Sequence, residues 1–396
     1  MNILEGNRKK MLLLFLCLLL IFAGCSQKGQ KGEETAEERT QETEIEKESE
    51  KLAEGYREIY EAAAEEGTLD TLEAKQQILS CLEREGYAAV DREDQLNMVN
   101  SDKMEAFCLD AQAGKQAEVV LLSLIEEGGF VRYDLTAEDG KIQVHLSTLG
   151  WKNQEPKVYY HHAFTAHSWK YTDKGYFFLE EYQPSGYDSA PGQIGFRVKP
   201  LDETCRELNR KYVCPVGYEG NNLLITDWSE QDYTGVDFYD LYEDLYYEKY
   251  GESVPYERGE GVEYQVPAQE IEDVLKDYFR ISSEQIRANM VYDPQQQTYR
   301  YRPRGMNDGT LPYGPYPEVT GYEEQEDGTL KLYVEAVWER KMNDLAVSSE
   351  LVVRPLADGS FQYVSNHVTS FDETLAFSWY EPRLTEEEWQ YYYGDS

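Results

Sequence analysis

Positive charge is scarce in this sequence. Its 396 residues carry 38 Lys and Arg against 76 Asp and Glu, a formal net charge of −38. Nucleic acid is excluded as a partner on that ground, because phosphates need a basic footprint and nothing here supplies one. Short catalytic signatures are missing too: there is no G-x-S-x-G, S-x-x-K, H-E-x-x-H, C-x-x-C, P-loop or EF-hand spacing. Their absence argues against the familiar hydrolases and leaves open carboxylate-based enzymes, which need no short motif. No cofactor is indicated. Phenylalanine is sparse beside tyrosine, 13 against 33. An excess of rings with polar tips points to half-buried sheet faces or wet binding surfaces.

Long apolar runs are also rare; the sequence has one. Met11–Ala23 follows a cationic Arg8-Lys9-Lys10, and it ends at Phe22-Ala23-Gly24-Cys25. Thirteen residues suit a secretory h-region and fall short of the roughly 20 that span a bilayer. Small residues directly before a cysteine resemble the lipobox of bacterial lipoproteins, although that family usually has Leu where this chain has Phe22. The resemblance covers about 25 residues. It implies a leader over residues 1–24, cleavage, and a diacylglyceryl group (with palmitate-type chains) on Cys25. The positive flank places everything after Cys25 outside the cytoplasm, lipid-anchored to the cell membrane.

The rest of the chain reads as α+β, with antiparallel meanders and packed helices in two domains. Residues 25–50 are rich in Glu and poor in large apolar side chains, so they are expected to form a disordered acidic tether. A first domain over 51–255 would begin with helices at Lys51–Glu66 and Asp70–Gly86. Strands follow at 117–125, in GFVRYDLTA and in KIQVHLSTLGW, the last two joined at Asp139-Gly140 in a hairpin. A further hairpin is expected about Thr172–Gly175, and a Tyr-rich acidic helix centred on Phe238–Leu245 would act as a connector. The stretch GESVPYERGEG suggests a boundary, and a second domain over 256–396 repeats the plan: a helix within 266–279, then strands.

Three candidate features remain. Cys205 and Cys214 are the most local pair for a disulfide, a bond that an extracytoplasmic location permits. His161 and His167 share a strand face about 20 Å apart, too far to meet on one metal, and His162 faces the other way, so no metal site is expected. Arg300 and Arg302 share a strand face that Arg304 continues, beside a loop bearing Tyr313 and Tyr316. Clustered Arg in so acidic a chain suits carboxylate or phosphate recognition, with the tyrosines as a binding edge. The function these features indicate is a non-catalytic module at the cell surface that binds a glycan, a peptide or an envelope protein. The alternatives are an envelope hydrolase with paired carboxylates and the solute receptor of a transporter.

Overall fold

The structure, a computed structural model, describes residues 36–91, 96–187, 190–309, 313–371 and 379–394. The leader and Cys25 lie outside the described residues. Two compact units divide after Leu201. Both are mixed α and β, and their sheets are antiparallel except for one short pair.

The first unit contains α1 (Ala36–Glu54), α2 (Arg57–Glu66), α3 (Leu72–Arg84), β1 (Ala88–Val90) and α4 (Ser101–Gln112). Its strands continue as β2 (Ala117–Leu124), β3 (Phe130–Glu138), β4 (Lys141–Lys152), β5 (Glu155–Thr165), β6 (Ser168–Tyr171), β7 (Tyr176–Glu180) and β8 (Gln193–Arg197). A five-stranded sheet runs β1-β2-β3-β4-β5, with β1 parallel to β2, and a second sheet runs β6-β7-β8. Asp139 and Gly140 join β3 to β4 with φ of 48° and 75°. Both residues are left-handed, as a type I′ hairpin turn requires.

Alternation along the strands gives the large sheet two buried faces. Leu121, Tyr133, Leu135, Ile142 and Val144 pack with Phe107 of α4 and with Phe177 and Leu179 of β7. Leu122, Leu124, Phe130 and Leu149 pack with Leu52, Tyr56, Ile78 and Leu82 from the other helices.

Of the segment expected as a tether over 25–50, residues 25–35 lie outside the described residues and the remainder is helical from Ala36. Ile45, Ser49, Leu52 and Ala53 form its buried stripe. Its acids find cations far along the chain: Glu48 pairs with Arg132 at 2.8 Å and Glu50 with Lys157 at 3.0 Å. Composition within 26–50 could not show these partners, and they turn a self-repelling segment into a docked helix. The helix expected over 51–66 is broken at Gly55-Tyr56, where Tyr56 turns inward and donates to the Gly128 carbonyl at 3.0 Å.

The second unit contains α5 (Glu203–Leu208), a π-helical turn at Asn209–Val213, β9 (Trp228–Ser229), α6 (Phe238–Tyr250), β10 (Tyr264–Pro267), α7 (Ala268–Tyr278) and α8 (Ser283–Asn289). Then come β11 (Tyr292–Asp293), β12 (Thr298–Tyr301), β13 (Tyr316–Glu324), β14 (Leu330–Trp338), β15 (Asn343–Pro355), β16 (Phe361–Phe371) and α9 (Glu386–Tyr393). One sheet runs β13-β14-β15-β16-β9 and another β10-β12-β11.

The boundary expected at 255/256 is corrected by this core. Phe238, Leu241, Tyr242 and Leu245 of α6 are fully buried with Ile271, Val274 and Leu275 of α7 and with Leu332, Val334 and Val353 of the sheet. The connector helix is therefore part of the second unit. GESVPYERGEG lies inside that unit, between α6 and β10.

Many of the tyrosines lie deeper than half-buried faces would place them. Tyr242, Tyr299 and Tyr363 are fully buried, and their hydroxyls donate to Glu270 (2.5 Å), Glu272 (3.0 Å) and the Tyr212 carbonyl (2.9 Å). The ring fills the core while the tip answers a polar group that would otherwise be buried without a partner.

Among the described residues Cys205 and Cys214 form no disulfide. Cys205 lies in α5, and Cys214 caps the π turn that continues it, nine positions along. At a rise of about 1.5 Å per residue that separates them by roughly 13 Å, about twice what a disulfide spans. No helix among the described residues is long and apolar enough to cross a membrane.

Candidate functional site

The clustered arginines lie in the second unit, at the end of β12. Alternation turns Tyr299 and Tyr301 into the core and leaves Arg300 on the outer side. The chain leaves the strand after Tyr301, and Arg302 comes round to the same acids as Arg300. Arg302 pairs with Glu263 at 2.8 Å, and Arg300 lies 3.8 Å from the same carboxylate. Both arginines also grip Glu386, Arg300 at 2.6 Å and Arg302 at 3.0 and 3.3 Å.

Glu386 is brought there by α9, which starts with a capping box. Glu388 N donates to Thr385 Oγ1, and the Glu388 carboxylate accepts from Thr385 N. Glu386 thus stands in the first turn, where the helix dipole favours an anion. Three residues on, Trp389 lies on the same helix face. Its ring covers the Arg302 guanidinium, with Cζ 3.8 Å from the ring centroid. At the far end Tyr393 donates to Glu260 at 2.5 Å and accepts from Asn307 at 2.9 Å. Hydrogen bonds from Arg302, then Gln390, hold the Glu386 carboxyl down at about 2, with Arg300 adding.

Arg304 does not continue the patch. Its side chain turns inward to Asp240 on α6, with Nε to Oδ1 at 2.8 Å and Nη2 to Oδ2 at 2.6 Å. Their side chains are 7% and 1% exposed, so this arginine is part of the framework and offers nothing to a ligand. Arg383 closes the same acidic face of α6, reaching Asp240 at 2.7 Å, Glu243 at 2.7 Å and Asp237 at 3.5 Å. Burial works against the charge on Arg383, and these three carboxylates outweigh it, pushing its pKa up. Burial pushes Asp240 up to about 6 against the pull of Arg383 and Arg304.

A cleft of about 320 Å³ opens beside these groups. Its lining includes Asp237, Tyr239, Arg300, Arg302, Arg383 and Trp389. Tyr313 and Tyr316 are not in it. Tyr313, with φ of 65°, offers its carbonyl to the Trp338 indole at 2.9 Å, and Tyr316 begins β13 opposite Val337. Arg300 and Arg302 are therefore brought together as their spacing implied, while Arg304, Tyr313 and Tyr316 leave the group.

Sequence reasoning did not find Glu386 and Trp389. Their signal was Thr385-Glu386-Glu387-Glu388-Trp389, a capping box with an aromatic residue one turn in. No curated protein and no solved structure matches the chain. Residues 42–383 match a family described as a family of unknown function, DUF6070. That match spans most of both units, and the protein belongs to this family.

Proposed function

We propose that this chain is a lipid-anchored binding protein facing outside a bacterial cell, and that its second unit receives a carboxylate-bearing ligand between Arg300 and Arg302. One observation carries the reading. Two partly exposed arginines converge on a single carboxylate, that of Glu386, while an indole covers one guanidinium. A carboxylate beside a flat ring face is what a uronic-acid sugar presents, so an acidic glycan is the ligand class that fits. Glu386 is half exposed, at 52%, and its ion pairs are of the weak surface kind, worth about 0–1 kcal/mol. A soluble carboxylate can compete for the same guanidinium groups.

The carboxylates near the cleft favour binding over hydrolysis. Asp240 and Glu243 are committed to Arg304 and Arg383, and Asp308 accepts from the Gly305 amide at 2.8 Å. A general acid must deliver its proton to the substrate; burial raises Asp240, but its two oxygens are turned to Arg304 and Arg383, and neither Asp240 nor Glu243 lines the cleft.

The anchor rests on the leader and Cys25. At a net charge of −38 the body is repelled by an anionic leaflet, so attachment must come from acyl chains. Labelling with a fatty-acid probe tests this half of the proposal: label is expected on the parent chain, and label persisting on Cys25→Ala would refute it. For the binding half, an oligogalacturonate titrated into the protein should give saturable heat, and its methyl ester should give none. Arg300→Ala/Arg302→Ala should lose the oligogalacturonate response. Equal affinity of parent and double variant would end the idea.

A further inference from the structure

We propose a divalent transition-metal site in the first unit, built by His145 of β4, His161 of β5 and Glu42 of α1. One ligand atom from each of the three lies within 4.8 Å of the others. The site is independent of the arginine cleft and rests on different residues.

Strand pairing creates the histidine pair. In the β4–β5 ladder His145 stands opposite Ala163 and Ser147 opposite His161. The two histidines are thus diagonal neighbours on one sheet face, the face that α1 covers. Their rings are stacked with centroids 5.3 Å apart, and His145 Nε2 lies 3.3 Å from His161 Nδ1. A tetrahedral zinc with Zn–N bonds of about 2.0–2.1 Å spaces two ligand nitrogens about 3.3–3.4 Å apart. The pair already has that separation.

A carboxylate already supports one of the histidines. His161 Nε2 faces Glu46 Oε1 at 3.3 Å, so a carboxylate is positioned to take the proton of the nitrogen not turned to the metal. That is the usual carboxylate–histidine support, which fixes the tautomer and makes the ligating nitrogen more basic. Glu42 and Glu46 are one helical turn apart on α1, so one helix face supplies a ligand and its support together.

Charge does not oppose a cation here. The nearby Arg132 is matched by Asp134, at 2.8 Å, and by Glu48, at 2.8 Å. Glu42 and Glu46 therefore leave the locality acidic. His145 also lines a cleft of about 350 Å³, together with Gln41, Asp134, Gln143 and Thr165. Three protein ligands with an open side leave one position for water or an exogenous ligand. Imidazole and carboxylate together suit zinc and its first-row neighbours. Such an ion would bridge α1 to the sheet and so fix the first of the described helices.

The test is calorimetric titration of zinc into the chelator-treated full chain, with cobalt as a spectroscopic substitute. One zinc per chain is expected, with cobalt giving the visible bands of a tetrahedral site. Glu46→Gln should bind about 10–100-fold more weakly, the usual loss for a removed second-shell partner. His145→Gln and His161→Gln should lose more than that, while His167→Gln and His367→Gln bind as the parent does. Circular dichroism checks that each variant is folded, and Glu42→Gln gives a further arm on the helix side. No stoichiometric zinc, or zinc bound equally by the parent and both histidine variants, would overturn the site.

Discussion

Asp240 and Arg304 meet as a closed fork, with two parallel hydrogen bonds of 2.8 and 2.6 Å joining side chains that solvent scarcely reaches. The fork ties the chain after β12 to α6. Arg383 reaches the same carboxylate and also donates to the Arg302 carbonyl at 2.6 Å, which fixes the backbone next to the cleft.

Removing Asp240 leaves the buried Arg304 guanidinium without a carboxylate, and removing Arg304 leaves the buried Asp240 carboxylate to Arg383 alone. Arg304→Ala and Asp240→Ala are each expected to cost about 3–5 kcal/mol. Arg300→Ala should cost at most about 1 kcal/mol, because its pair with Glu386 is solvated. Urea unfolding of the three variants measures the contrast. A loss for Arg300→Ala as large as that for Arg304→Ala would contradict the division between framework and cleft.

Acid should release α9. Glu386 has an ordinary pKa of 4.5 and is held at about 2 in the fold, chiefly by Arg302. A group depressed on folding contributes its full share above about 4.5, and that share is lost as pH falls toward 2. Fluorescence of Trp389, taken as the difference between the parent and Trp389→Phe, should shift to the red across this window. Glu386→Gln should already be shifted at pH 7. A signal that is flat from pH 5 to pH 2 would show that the carboxylate does not hold the helix.

Thiol chemistry separates the cysteines. Cys81, Cys108 and Cys205 are buried, and burial pushes the Cys108 and Cys205 thiols up, whereas Cys214 is exposed. A disulfide-exchange reagent should label Cys214 rapidly in the native protein and the other three only on unfolding. A reducing agent should leave the melting temperature unchanged. A drop on reduction would indicate a bond between Cys205 and Cys214 after all.

Most elements were legible because their signals are local. Asp139-Gly140 carries its own turn, α7 shows its helical stripe, and the strands of 330–355 stand between the Asp327-Gly328 and Asp358-Gly359 turns. What escaped was set by partners distant in sequence. Glu46, Glu48 and Glu50 look like a solvated run until His161, Arg132 and Lys157 are brought beneath them. Arg304 looks like a third member of an arginine face until α6 supplies Asp240. Spacing along one strand sets His161 beside His167, whereas its neighbour His145 comes from the adjacent strand. The Gly- and Glu-rich stretch GESVPYERGEG looks like a boundary because packing between α6 and α7 leaves no mark on local composition.

Affinity for an acidic oligosaccharide in Glu386→Gln tests the account most directly. If Glu386 occupies the place of an external carboxylate, neutralising it removes a competitor worth about 0.5–1 kcal/mol, and binding should tighten about 2–5-fold. Arg300→Ala/Arg302→Ala should abolish the same binding. Equal affinity in the parent, Glu386→Gln and the double variant, or no binding in any of them, would contradict the claim that this cleft receives a carboxylate.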